Sequence, residues 1–198
     1  KSFFLYGWCF GFGYFLFSLY WIAISLTFDQ SFKFLIPIAI ILLPAFLAIF
    51  YGLITYLFST LYSKNVISSF FIFSILFGTI ELIRGSIFTG FPWNLISFSF
   101  SNNIYFIQIL SIIGTYSFNL ICISLFTVPA LFILRNSIKE IIICFSFILL
   151  SASFLIFGKI KSDNFDTLKS IKNSYTIKAI SSNISLDRFY SKKDELKI

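Results

Sequence analysis

Glu81 and Arg84 are the residues of this sequence whose types and spacing most directly suggest chemistry. Three positions apart on a helix, they share a face and can pair. They stand at the end of an apolar segment, where charge is costly unless it is paired or turned toward a polar cavity. The stretch from Glu81 to Asn94 then reads Thr89-Gly90-Phe91-Pro92-Trp93 before it ends. Gly90 permits unusual dihedrals, Pro92 fixes one, and Trp93 suits headgroup depth, so this segment is expected to form a re-entrant turn at the membrane edge. Two readings of the charged pair stay open. It is either a helix-end ion pair that snorkels to the interface and fixes register, or a polar site on the outer face that meets a lipid headgroup or an acidic ligand. Trp93 taken alone reads equally as an ordinary residue of the aromatic belt.

Other chemistries are excluded by residue type. The sequence has no histidine, so neither a Ser/His/Asp nor a Cys/His arrangement can form. Cys9, Cys122 and Cys144 lie far apart in apolar runs, which argues against a Cys/His zinc site and reads as small buried hydrophobes. No metal and no cofactor is expected. Gln108 and Asn119 are polar side chains in an apolar segment, where hydrogen bonding between helices is the default.

The elements that position these residues are membrane spans. The chain of 198 residues is 58% hydrophobic and 12% charged, with a mean hydropathy of +0.93. A soluble domain would carry about a quarter charged residues. The 30 phenylalanines fit an AT-rich coding bias. Spans need about 20 apolar residues, and five segments come close: 3–26, 34–61, 66–83, 104–134 and 141–157. The first carries Gly7-x-x-x-Gly11 at helix-contact spacing and ends on Tyr20-Trp21, suited to an interface. Pro37 and Pro44 are expected to set the start of the second span or kink it. The first segment is too long for a signal peptide and lacks a small-residue cleavage pattern. With no Met and a start on Lys1, the sequence reads as truncated at both ends.

Charge sets orientation. Lys1, Lys64, Arg135 and Lys139 fall on one side of the five spans, Lys33 and Arg84 on the other. The bias puts the first side in the cytoplasm, and the Glu81–Trp93 stretch with the C-terminal segment outside. Net charge is +7, and nine of the fifteen basic residues follow Gly158. The membrane domain is therefore expected to span 1–158, with 159–174 a polar linker and 175–198 the start of a soluble domain. Residues 175–180 alternate as a strand does.

The Glu81–Asn94 stretch resembles the signature of bacterial apolipoprotein N-acyltransferases, close to E-x-x-R-G-x-x-x-T-G-F-P-W. It matches at Glu81, Arg84, Gly85, Thr89, Gly90, Phe91, Pro92 and Trp93. Gly7 to Gly13, through Tyr20-Trp21, resembles the family's glycine–aromatic span. Gln108 and Gly114 stand where the family often has a Gln and a Gly. Ile177 to Ile184 is similar to the first strand of its nitrilase-like domain, with Ser181-Ser182 in place of Gln-Gly.

The resemblance implies an all-α polytopic membrane domain of about five transmembrane helices, followed by the first strand of a truncated nitrilase-like α/β domain. It implies transfer of an acyl chain from a membrane phospholipid, the donor, to the diacylglyceryl-cysteine of a lipoprotein, the acceptor. In the family a Glu-Lys-Cys triad does this through a thioester. That triad is expected beyond Ile198, so no catalytic residue is assigned and this stretch alone is expected to be inactive. Glu81, Arg84, Thr89, Gly90, Phe91, Pro92 and Trp93 become candidates for holding lipid. The implied location is the bacterial inner membrane, multi-pass, with the C-terminal segment periplasmic. Nothing implies a nucleic-acid partner. The alternative is a non-catalytic polytopic membrane protein or a decayed gene remnant.

Overall fold

Helix α1 (Ser2–Leu19) turns Gly7 and Gly11 toward α2 (Ile36–Leu61), and both glycines are buried. A Cβ on Gly7 would overlap Thr55 Oγ1 and the Tyr51 carbonyl oxygen. One on Gly11 would come within 2.7 Å of Tyr51 Cβ. Small residues at this spacing let two backbones approach closely where lipid offers no hydrophobic drive. Hydrogen bonds join the same pair of helices. Thr55 Oγ1 donates to the Phe3 carbonyl at 2.7 Å, and Trp8 Nε1 donates to the Ala45 carbonyl at 3.1 Å.

The computed structural model describes residues 2–87, 90, 92, 94–168 and 178. After α1 the chain tightens into 3-10 helices at Tyr20–Thr27 and Gln30–Leu35, the second capped by Asp29, which accepts from the Ser31 amide at 2.8 Å. Pro37 sits in the first turn of α2, where its missing N–H leaves no bond unmade, and Pro44 lies inside the helix. Helix α3 (Val66–Ser86) starts on Asn65, whose side chain accepts from the Ser68 amide at 3.1 Å. A 3-10 helix at Ile96–Phe100 leads to α4 (Ile104–Ile107), α5 (Leu110–Ile113), α6 (Thr115–Ile133) and α7 (Ile138–Leu168).

Among the described residues, five helical stretches are long and apolar enough to cross a membrane: Ser2–Thr27, Gln30–Leu61, Val66–Ser86, Thr115–Ile133 and Ile138–Phe165. The apolar run 104–134 is not one helix. Gly114, at φ 75° and ψ 170°, adopts a backbone that favours glycine and separates α5 from α6. At the other boundary α7 continues through 159–168, ten residues into the stretch expected to be a linker. Hydropathy falls there, but residues such as Lys159, Lys161 and Leu168 are good helix formers. No strand occurs among the described residues. The strand expected at 175–180 and the Asn183-Ile184 motif lie outside them.

Aromatic rings fill the core. Phe15, Tyr51, Phe77 and Ile123 bring α1, α2, α3 and α6 together, with the Tyr51 ring edge-on to Phe15 at 5.1 Å and to Phe77 at 5.0 Å. Phe106, Phe118 and Phe154 join α4, α6 and α7. Gly158 brings α7 against the Tyr105 backbone. Large apolar side chains such as Phe17 and Ile133 point outward, as a surface bathed in hydrocarbon requires.

Candidate functional site

Besides Ser69, the buried residues of α3 are Phe70, Ser74, Phe77, Glu81 and Arg84, these five spaced four, three, four and three apart. That spacing places them on one face of the helix. Glu81 and Arg84 pair side-on: Arg84 Nε donates to Glu81 Oε1 at 3.0 Å, and Nη2 donates to Oε2 at 2.7 Å. Both side chains are 0% exposed. The Phe15 ring of α1 lies 5.3 Å from the guanidinium carbon, close enough for a cation–π contact. Arg84 also stands in the last turn of α3, where the helix dipole favours a cation.

The pair is thus sealed by α1 and α2. It neither snorkels nor opens to the surface. A buried ion pair persists only where its geometry is good and its remaining polar positions are met, and the bidentate arrangement supplies the first condition. The Tyr51 hydroxyl lies beside the Glu81 carboxylate, yet among the described residues it has no partner in hydrogen-bonding geometry. Tyr51 is itself fixed by stacking on Tyr14, 5.8 Å between centroids.

Beyond Arg84 the backbone turns sharply. The Ile87 amide donates to the Ile83 carbonyl at 3.0 Å, and the Gly90 amide donates to the Ile87 carbonyl at 2.9 Å. Gly90 has φ 80° and Asn94 φ 57°, the left-handed region that favours Gly and Asn. A Cβ at Gly90 would also stand 2.7 Å from the Gly85 carbonyl oxygen. Gly90 is therefore required twice, by dihedral and by space. Gly85 in turn packs against the Tyr116 hydroxyl of α6, with no room for a Cβ.

Two side chains hold the far end of this turn. Tyr14 Oη of α1 donates to the Asn94 carbonyl at 3.0 Å, and Asn119 Oδ1 of α6 accepts from the Ser97 amide at 2.9 Å. The segment between α3 and the Ile96–Phe100 helix is thus anchored to α1, α3 and α6. Among the described residues, Asn94 Nδ2, Ser97 Oγ and Asn119 Nδ2 are buried here without a hydrogen-bond partner.

Of the sequence-derived candidates, Glu81 and Arg84 meet each other, Gly90 forms the turn, and Pro92 is exposed beside it. Thr89, Phe91 and Trp93 lie outside the described residues. Asn119 bonds across elements as its type suggested, whereas Gln108 accepts from Ser111 through its backbone carbonyl. Phe15, Tyr14 and Tyr51 are participants that sequence reasoning missed. The available signal was a tyrosine hydroxyl placed within an apolar helix, which needs a polar neighbour when buried. Cys122 and Cys144 are buried, Cys9 is exposed, and the described residues contain no cluster of metal-ligating side chains.

Comparison with known proteins bears on the same region. Residues 1–128 match the family model described as apolipoprotein N-acyltransferase N-terminal domain, a range that contains the pair and its turn. The apolipoprotein N-acyltransferase of Rhizobium rhizogenes is 38% identical over 126 residues, 63% of this chain and 24% of the relative. That of Brucella melitensis biotype 1 is 37% identical over 126 residues, again 63% and 24%. That of Rhizobium etli is 37% identical over 134 residues, 67% of this chain and 25% of the relative. The chain spans about a quarter of the length of the curated relatives it matches. No solved structure matches it.

Proposed function

The chain belongs to the apolipoprotein N-acyltransferase family through its N-terminal domain, and from that premise we propose that it forms the membrane part of a lipoprotein-maturing acyltransferase. The reaction moves an acyl chain from a membrane phospholipid to the amino group of a lipoprotein's diacylglyceryl-cysteine. The acyl ester of the donor breaks, the amide of the acceptor forms, and a lysophospholipid leaves. The bond-making chemistry belongs to a nitrilase-like domain that residues 175–198 begin. The membrane part supplies geometry.

The observation that carries this reading is the fully buried, bidentate Glu81–Arg84 pair at the root of a turn anchored to three helices. Glu81 and Arg84 act as positioning residues: with no exposed polar atom of their own, they brace the turn from within. In this reading Thr89, Phe91, Pro92 and Trp93 of the same stretch contact the donor lipid, with Trp93 the principal contact. Charge supports the orientation. Lys1, Lys64, Arg135 and Lys139 face the cytoplasm, which leaves the turn and the C-terminal segment on the periplasmic side of the inner membrane.

The test is a graft of this chain over the aligned 126 residues of the Rhizobium rhizogenes relative, with acylation of a lipoprotein read by mass spectrometry. Trp93→Ala is expected to lower acyl transfer by about a hundredfold, the scale of a misplaced substrate, while insertion of the graft stays unchanged. Unaltered turnover in that variant contradicts the reading.

A further inference from the structure

At the end of α3 opposite Glu81, the connections 62–65 and 134–137 frame a cleft of about 580 Å³. Its size lies within the range of small-molecule sites. Its interior is largely apolar, with Phe58 of α2, Phe70 and Phe73 of α3, and Leu131 of α6, while the hydroxyls of Ser69 and Thr127 there donate to the Ser63 and Ile123 carbonyls. Its mouth is polar, with Lys64 and Asn136 both exposed there. The site is therefore amphipathic along its depth.

The charges around the mouth are unequal. Lys64 makes no ion pair among the described residues. Glu140, the acid at this end, accepts from both the amide and the hydroxyl of Ser137. Arg135 is held on the Phe132 ring, 4.1 Å from its centroid, and donates to the Phe132 carbonyl at 2.7 Å. Lys139, in the first turn of α7, adds a further positive charge just after this connection. A cationic mouth over an aromatic-walled groove matches a ligand with one anionic head and an apolar tail. In a membrane domain such a ligand is an anionic phospholipid.

We propose that this cleft binds one anionic phospholipid, its phosphate at Lys64 and an acyl chain between Phe58, Phe70 and Phe73. Glu81 lies 15 residues along α3 from Val66, which lines the cleft, about 22 Å at 1.5 Å per residue. The cleft is therefore separate from the turn that Glu81 and Arg84 brace, and the proposal does not depend on acyl transfer.

Native mass spectrometry of the whole chain in non-ionic detergent tests it, with phosphatidylglycerol and phosphatidylcholine of identical chains as probes. One phosphatidylglycerol per chain is expected, held about fivefold more tightly than phosphatidylcholine, the contribution of one lysine near an anionic headgroup. Lys64→Gln is expected to erase that preference, and Lys33→Gln, distant from the cleft, to keep it. Ala130→Phe, which fills the cleft, is expected to abolish retention of both lipids. Lys64 is on an exposed connection, so its replacement keeps the test decisive even where the cleft-filling variant does not fold. Equal binding of the two lipids to the unmodified chain, or an undiminished preference in Lys64→Gln, overturns the proposal.

Discussion

At the scale of single residues, the Glu81–Arg84 pair is the most consequential feature. Its strength comes from its geometry: the two charges meet side-on, with a ring under the guanidinium, shielded from solvent. Removing one partner leaves the other buried and unmet. Arg84→Met is therefore expected to destabilise the chain by about 3–5 kcal/mol, whereas Glu81→Leu combined with Arg84→Met recovers most of that loss. Denaturant unfolding in detergent micelles measures both. Equal stability of the single and double variants contradicts a closed internal pair. The three-residue spacing made the pairing legible in the sequence. It did not reveal the burial, because Phe15 and Tyr51, which close over the pair, lie 66 and 30 positions before Glu81. Nothing local to Glu81 announces them.

At the scale of elements, glycines decide which helices touch. Gly7 and Gly11 set α1 on α2, and that contact is also what delivers Phe15, Tyr14 and Tyr51 to the charged pair. Gly11→Val forces a branched side chain onto Tyr51 Cβ and is expected to cost about 1–3 kcal/mol, the scale of an overpacked interface. The same unfolding measurement shows it, and an undisturbed stability contradicts the close approach. Gly13 has open space around its Cβ position and is not part of this contact. The spacing Gly7-x-x-x-Gly11 was readable beforehand because it follows the helical repeat. The break at Gly114 was not. Hydropathy from residue 104 to residue 134 is continuous, and only the backbone dihedral at Gly114 shows that α6 starts anew. Likewise the polarity of 159–174 marks a linker without showing that α7 runs on through 159–168. Helix propensity depends on side-chain freedom, not on polarity.

At the scale of the molecule, the five long apolar helices and the match over residues 1–128 describe a membrane domain whose two ends differ. One end carries the braced turn, the other a cleft with a cationic mouth. Class and approximate number of spans followed from composition, since five apolar segments of sufficient length leave few alternatives. The anchoring of the turn by Tyr14 and Asn119 did not, because it joins residues far apart in the chain. Under the proposed function, the buried pair shapes this turn for acyl transfer. The most direct test of this claim is lipoprotein N-acylation by the graft described above, with and without Glu81→Leu and Arg84→Met together. The expected result is a graft that acylates, and a double variant that inserts normally yet acylates at least about a hundredfold more slowly, because the turn is no longer held in place. A double variant that acylates as fast as the unmodified graft contradicts the claim.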